Sequence, residues 1–231
     1  MATGNDQYEY ADEAALLSAL GEARDALLDA DVTFVVMGGI ASGIWGRPRW
    51  TRDVDVFVRL EDAGRALEVL DAAGFETHVE QQHWLSKATK HGVTVDVISR
   101  SHNDILLDEQ MLERAPTVDF KGLELRVLSP EDVLVMKAVA ASEDTFRYWY
   151  DALGIIGRTD LDWDYLIARA RQAGARRVLA LLLYAQSLDI LVPAAAIRAL
   201  AALVVEPAEP SAAPAVVGRP GPGVAPAEVV S

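Results

Sequence analysis

Residues 34–58, FVVMGGIASGIWGRPRWTRDVDVFV, place the strongest constraint on how this chain can fold. An apolar run leads into two consecutive glycines, a short helical pattern, an arginine-rich segment and a second apolar run that carries two aspartates. This order predicts a strand, a tight turn into a short helix, and a second strand. Adjacent glycines let the backbone approach a phosphate closely at a helix N-terminus. The segment therefore predicts a phosphate-binding turn beside a strand that carries acids.

The two aspartates of the second strand, Asp53 and Asp55, alternate with valines. Because strand side chains alternate between faces, both carboxylates point the same way, as two ligands of a shared metal must. The same Asp-x-Asp spacing occurs at 29/31, 160/162 and 162/164, but there it lies at a helix end or just before a helix. Aspartate is uncommon in strands, and two carboxylates on one face repel each other unless a cation intervenes. Asp53 and Asp55 are therefore candidate metal ligands.

A third acid, Asp96, lies inside another apolar strand, VTVDVI, at residues 93–98. On its own it would more often face solvent, but beside Asp53 and Asp55 it supplies the third carboxylate that a two-metal site needs. Such a site holds two ions about 4 Å apart, which activate the attacking oxygen and stabilise the leaving oxygen in phosphoryl transfer. Carboxylate oxygens favour Mg²⁺ or Mn²⁺. The three acids together predict metal-assisted chemistry on a nucleotide.

With these acids, the chain resembles the nucleotidyltransferase superfamily typified by DNA polymerase beta. The shared pattern is a glycine pair, a short helix, a Thr-x-Asp-x-Asp strand that starts at Thr51, and a later strand with one aspartate. Within the superfamily it is most similar to the bacterial branch of AbiEii-type toxins, minimal nucleotidyltransferases and antibiotic nucleotidyltransferases. In that branch a later helix often carries Lys and Arg with an acid one turn on, and Lys137, Arg147 and Asp151 look similar. The resemblance covers residues 30–157.

The resemblance implies an α+β fold, with a nucleotidyltransferase-like twisted mixed sheet flanked by helices and followed by a C-terminal helical bundle. It implies that Asp53, Asp55 and Asp96 are catalytic and bind Mg²⁺ or Mn²⁺. It also implies an NTP substrate, held by the glycine turn and by basic side chains. The candidate nucleotide-binding residues are Gly38, Gly39, Ser42, Arg47, Arg52 and Lys137.

Several of these assignments have structural alternatives. Many relatives carry Gly-Ser at the turn, so here the phosphate contact falls either to backbone N–H groups or to Ser42. The arginines of residues 47–52 either grip a triphosphate or pair with acids in a solvated loop. Lys137 lies in an apolar helix, where a lysine normally extends to solvent, although we favour a phosphate-facing role. Arg147 and Asp151 are four residues apart, a spacing that also gives an ordinary helix ion pair.

Composition limits the compartment and the partners. The 231 residues suffice for one compact domain or two small ones, with 51% hydrophobic and 24% charged residues. The chain has no cysteine, which excludes disulfides and thiolate chemistry and is typical of the reducing cytoplasm. No apolar run has membrane-spanning length, so no membrane association is predicted. The net charge of −14 disfavours a large basic surface for nucleic acid.

The predicted elements divide the chain into three parts. Residues 1–128 mix strands and helices and form the predicted catalytic domain, residues 129–204 form a helical domain, and residues 205–231 form a disordered tail rich in Pro and Ala. Helices are predicted at 11–30, 61–73, 103–114, 130–141, 143–157, 163–173, 175–188 and 193–203. Strands are predicted at 33–37, 53–58, 75–80, 84–90 and 93–98, with hairpin turns at Gly92 and at Lys121-Gly122.

These features favour an enzyme that moves an NMP from an NTP onto an acceptor and releases pyrophosphate. A protein or small-molecule acceptor is favoured by the acidic balance, whereas the AbiEii resemblance keeps tRNA open. Two alternatives remain: an AbiEii-like toxin that modifies tRNA, and a non-catalytic antitoxin or partner subunit with the same fold.

Overall fold

A mixed five-stranded sheet is the centre of this computed structural model, which describes the backbone of residues 5–80 and 84–205 and their side chains from residue 13 onward. The strands lie in the spatial order β1-β2-β5-β4-β3. Only β2 and β5 are parallel to each other; the other neighbours in this sheet are antiparallel. The strands are β1 (Phe34–Val36), β2 (Asp53–Val58), β3 (Glu76–Val79), β4 (Leu85–Lys90) and β5 (Val93–Ile98).

A separate two-stranded hairpin lies beside β1. It consists of β6 (Thr117–Phe120) and β7 (Leu123–Arg126), and the N–H of Leu128 then bonds to the carbonyl of Val36 in β1. The predicted turn at Lys121-Gly122 is confirmed, as is the β4–β5 turn at Gly92, because both glycines have positive φ angles.

Helices cover the sheet unequally. On one face, α1 packs against β5 and β2, and α3 packs against β3, β4 and β5. On the other side, residues of β2, β5, α2 and α5 line one cavity. The helices are α1 (Asn5–Asp29), α2 (Gly38–Trp45), α3 (Ala63–Ala72), α4 (Glu109–Arg114), α5 (Pro130–Ala140), α6 (Arg147–Ile156), α7 (Trp163–Ala173), α8 (Ala175–Ser187) and α9 (Ala194–Val205).

The class and topology agree with the expected α+β fold. The strands that carry the acids are neighbours, and a helical part begins at α5, where the side chain of Ser129 caps the first turn by accepting from the N–H of Asp132. Buried side chains of the sheet and of α5–α9 belong to one hydrophobic core. The division of the chain at residue 128 stays a prediction.

Three helix predictions were wrong at their N-termini. The helix predicted at 11–30 begins earlier, because α1 already starts at Asn5. The segment predicted at 103–114 becomes α-helical only at α4. A short 3₁₀ turn at His102–Asp104 precedes it, Asn103 and Asp104 have positive φ angles, and Asp108 caps α4. The segment predicted at 143–157 begins with a separate 3₁₀ turn, because Ser142 and Thr145 form a capping box ahead of α6.

Two further sequence expectations concern the tail and the membrane. The predicted tail lies outside the described residues except for Val205, the last residue of α9. Within the described part of the chain, no helix combines the length and apolar character needed to cross a bilayer.

Candidate active site

The register of the two parallel strands brings the predicted acids to one cavity. Asp55 of β2 lies directly opposite Asp96 of β5, and Asp53 lies on the same face of β2 two residues earlier. All three side chains, called the carboxylate cluster below, line a cavity of about 490 Å³. Gly38 and Gly39, at the start of α2, line the same cavity. The sheet therefore places both parts of the predicted motif around one space.

Each acid of the carboxylate cluster has its own hydrogen-bond partner. The hydroxyl of Thr51 donates to Asp53 Oδ1 at 2.5 Å, and the backbone N–H of Gly39 donates to Asp55 Oδ2 at 3.3 Å. The ammonium of Lys87 donates to Asp96 Oδ1 at 3.0 Å. Each of these bonds engages one oxygen of its carboxylate, and among the described residues the second oxygen of each acid accepts no hydrogen bond, so it is open to a ligand.

The carboxylate cluster fits a divalent cation by its chemistry but is not drawn together around one. Among the described residues, no group of three or more His, Asp or Glu side chains is arranged to hold a metal ion. Each acid instead bonds to a different partner: Thr51, the backbone of Gly39, or Lys87. The pKa of Asp55 is raised to about 6, first by burial and then by repulsion from Asp53, with Asp96 adding to it. Hard oxygen donors with unbalanced negative charge are the donor set that Mg²⁺ and Mn²⁺ prefer.

Both glycines of the turn are required by close neighbours at the site. Gly38 has a φ of 61°, and a Cβ atom on it would lie 1.8 Å from Asp55 Oδ2. A Cβ atom on Gly39 would lie 2.5 Å from the hydroxyl oxygen of Thr51. The expected close approach at this turn is therefore present, but its nearest neighbours are the carboxylate of Asp55 and the hydroxyl of Thr51.

A basic wall faces the carboxylate cluster across the cavity. Arg49 and Lys137, called the basic pair below, both line the cavity and both bind the carboxylate of Asp151 in α6. Arg49 makes two bonds to it, at 2.9 and 3.0 Å, and the Lys137 ammonium lies 3.2 Å away. Burial lowers the pKa of Lys137, and the contact with Asp151 opposes that shift. Asp151 is only 4% exposed, so it holds both cations from the protein interior and not from the cavity.

The remaining predicted nucleotide-binding residues differ in position. Arg52 is exposed and lines the cavity. Arg47 and Ser42 do not line it: the guanidinium of Arg47 stacks on the ring of Tyr150 at 4.8 Å, and the buried hydroxyl of Ser42 donates to the carbonyl of Gly38 at 2.6 Å. Arg147 lines the cavity, but the described ion pairs of Asp151 are with the basic pair, not with Arg147.

Three residues at the site were not among the predicted site residues. Arg49 was considered only as one of three loop arginines, and nothing in the spacing distinguishes it from its neighbours. Thr51 was noted as part of the motif, without a role. Lys87 gave no signal, because its proximity to Asp96 depends on the register between β4 and β5.

Comparison with known families gives one match. The model of a family described as "Uncharacterised nucleotidyltransferase" matches residues 7–188, a span that contains the carboxylate cluster, the glycine turn and the basic pair. No curated protein matches the chain.

Several solved structures are similar to this chain. An antigenic nucleotidyltransferase-like protein from Paracoccidioides brasiliensis is 17% identical, with 82% of this chain and 92% of that chain covered and a TM-score of 0.47. The lincosamide antibiotic adenylyltransferase LnuA, solved with lincomycin bound, is 13% identical over 62% of this chain and 97% of that chain, with a TM-score of 0.46. ANT(2")-Ia in complex with adenylyl-2"-tobramycin is 13% identical over 75% of this chain and 98% of that chain, also at 0.46.

Proposed function

This chain belongs to a family of uncharacterised nucleotidyltransferases, and on that premise we propose that it is a divalent-metal-dependent enzyme that transfers an NMP from an NTP onto an acceptor, with release of pyrophosphate. The observation that carries the proposal is the pairing of Asp55 with Asp96 across two parallel strands, with Asp53 on the same face. Acids on neighbouring strands of one sheet face form a donor set that no ordinary surface role requires.

The reaction forms one bond and breaks one bond at the α-phosphorus. A nucleophilic acceptor oxygen attacks the α-phosphorus, the bond to the oxygen that bridges the α and β phosphates breaks, and pyrophosphate leaves with that oxygen. When bound, Mg²⁺ or Mn²⁺ supplies activation of the attacking oxygen and charge stabilisation at the leaving group. Asp53 and Asp55 would hold the cations, and Asp96 would complete the donor set. Asp96 would also take the acceptor proton, on the carboxylate oxygen that is not used for a cation.

The basic pair binds the phosphates of the NTP. A guanidinium presents several donors in one plane and suits phosphate well, and a lysine ammonium adds a point charge. Asp151 is a positioning residue here, because it touches Arg49 and Lys137 rather than the substrate. Arg52 and the backbone of Gly38 and Gly39 complete the phosphate contacts.

The acceptor is a small molecule or a protein in this proposal. Recognition of RNA relies on neutralising many phosphates with Lys and Arg, whereas this chain has 21 basic and 35 acidic residues. The basic residues at the cavity are already used for the triphosphate. A tRNA acceptor, as in an AbiEii-like toxin, is therefore an outcome of the test and not the favoured assignment.

The proposal is tested by incubating the protein with each α-³²P-labelled NTP, Mg²⁺ and a cell lysate, followed by separation of small molecules, proteins and RNA. Label in the small-molecule or protein fraction, with at least one NTP, is the expected result. Label on tRNA 3′ ends would replace this assignment with the toxin function. No label in any fraction, with any NTP, would favour the non-catalytic partner subunit.

A further inference from the structure

Lys87 is the one described cation that forms an ion pair with the carboxylate cluster. It lies on β4 directly opposite Asp96 of β5, and its ammonium is 3.0 Å from Asp96 Oδ1. The side chain of Asp96 is 15% exposed and that of Lys87 is 36% exposed, so the pair lies at the edge of the cavity and not in the core. On its other side, Lys87 lies opposite the exposed His78 of β3.

The position of Lys87 is unusual for a metal-binding set of acids. A lysine has no lone pair to offer when protonated, so it cannot be a ligand, and its charge opposes that of a cation close by. The other described partners of the carboxylate cluster, a hydroxyl and a backbone N–H, carry no charge. Among the described residues, Lys87 therefore supplies the one positive charge in direct contact with the carboxylate cluster, whereas Arg49 and Lys137 are held by Asp151.

We infer that Lys87 is a built-in counter-ion of the carboxylate cluster. In the metal-free protein Lys87 holds Asp96, and a divalent cation must displace Lys87 before it can use all three acids. This inference rests on the proposed function, because it assumes that the carboxylate cluster is where the cation binds. The ion pair engages Asp96 Oδ1, an oxygen that a cation would otherwise have available.

The consequence is an order of binding. A free cation competes with Lys87 for Asp96 and binds weakly alone. A cation that arrives with an NTP brings the triphosphate as additional ligands and displaces Lys87 more readily. The cation therefore reaches the carboxylate cluster as a complex with the NTP rather than as the free ion.

The test measures Mn²⁺ binding to the full chain without nucleotide, by the loss of the free Mn²⁺ signal in electron paramagnetic resonance. Lys87→Met removes the charge at similar side-chain length, Lys87→Gln keeps a hydrogen-bond donor without charge, and Lys87→Arg keeps the charge. Lys90→Met is the matched control, because Lys90 lies on the same strand but pairs with Glu22 of α1, away from the cavity. Thermal unfolding without metal checks that each variant folds.

The expected result is that Lys87→Met and Lys87→Gln bind Mn²⁺ roughly tenfold more tightly than wild type, since a nearby positive charge is gone while solvent screens part of the effect. Lys87→Arg and Lys90→Met should bind like wild type. Unchanged or weaker binding in Lys87→Met and Lys87→Gln, with wild type binding Mn²⁺, would overturn the inference alone. If neither wild type nor the two uncharged variants bind Mn²⁺, with or without NTP, the proposed function fails together with it.

Discussion

Gly38 has less freedom to change than any other residue described at the candidate site. Its φ of 61° strains any side chain, and a Cβ atom would overlap Asp55 Oδ2 at 1.8 Å. Gly92 has a similar φ of 74°, but nothing lies within 4 Å of a Cβ atom there. Alanine at Gly92 would therefore cost backbone strain alone, whereas alanine at Gly38 would cost the same strain and also displace the carboxylate of Asp55.

We expect Gly38→Ala to abolish transfer and to lower stability more than Gly92→Ala does. Both variants carry backbone strain of about 1 kcal/mol or more, but only Gly38→Ala also pushes the carboxylate of Asp55 away. Chemical denaturation and label transfer measure the two effects. Equal stability loss in both variants, with activity kept in Gly38→Ala, would show that Asp55 does not depend on the turn.

Asp55 combines burial with repulsion from its neighbours, and this predicts opposite effects on stability and function. Asp55→Asn should reduce transfer about 100-fold or more, because a ligand for the transition-state charge is lost. It should also raise the thermal midpoint of the metal-free protein, because a charge that is buried and repelled by Asp53 is removed. Asp25→Asn is the control, since Asp25 is exposed and pairs only with its neighbour Arg24 among the described residues. A lower midpoint for Asp55→Asn would mean that its bond from Gly39 outweighs the repulsion.

At the scale of elements, Asp151 ties together the loop before β2, α5 and α6. Its carboxylate forms ion pairs with Arg49 of the loop and with Lys137 of α5. The helix α6 also approaches the end of α2 closely, since a Cβ atom on Gly46 would lie 2.9 Å from the backbone nitrogen of Ile155. The wall of the cavity is thus fixed by contacts between elements that are distant in sequence.

Asp151→Asn should destabilise the protein by about 3 kcal/mol, because two buried or half-buried cations lose their shared counter-charge. In the same variant the KM for NTP should rise, because the basic pair is no longer held in place. Asp144→Asn, at an exposed position just before α6, serves as the control and should change neither. An unchanged KM with lowered stability would limit Asp151 to a structural role.

The elements also show how far a single sequence can predict this structure. The hairpin turns and the acid-bearing strands were predicted because turn glycines and alternating valines are local signals. The helical patterns from residues 103 and 143 predicted the starts of α4 and α6 too early. Asp108 and the Ser142–Thr145 pair cap later starts. The contacts of Asp96 with Lys87 and of Asp151 with Arg49 and Lys137 depend on strand register and helix packing, which no local pattern encodes.

On the scale of the whole molecule, the negative net charge disfavours a nucleic acid as the acceptor. With a net charge of −14, the protein should show no tight, salt-sensitive binding of tRNA near physiological salt, because few phosphates can be neutralised. A filter-binding or fluorescence titration with tRNA at several salt concentrations measures this. Tight binding whose affinity falls steeply with salt would support the tRNA-modifying alternative.

The central claim, NMP transfer by the carboxylate cluster, is tested most directly by following the two ends of the NTP in parallel reactions. With the preferred NTP, Mg²⁺ and an acceptor-containing fraction, label at the α-phosphate should enter the acceptor while label at the γ-phosphate leaves as pyrophosphate. Asp53→Asn and Asp96→Asn should each abolish both signals in a folded protein. Transfer of the γ label to the acceptor, or near wild-type transfer in both variants, would contradict the claim.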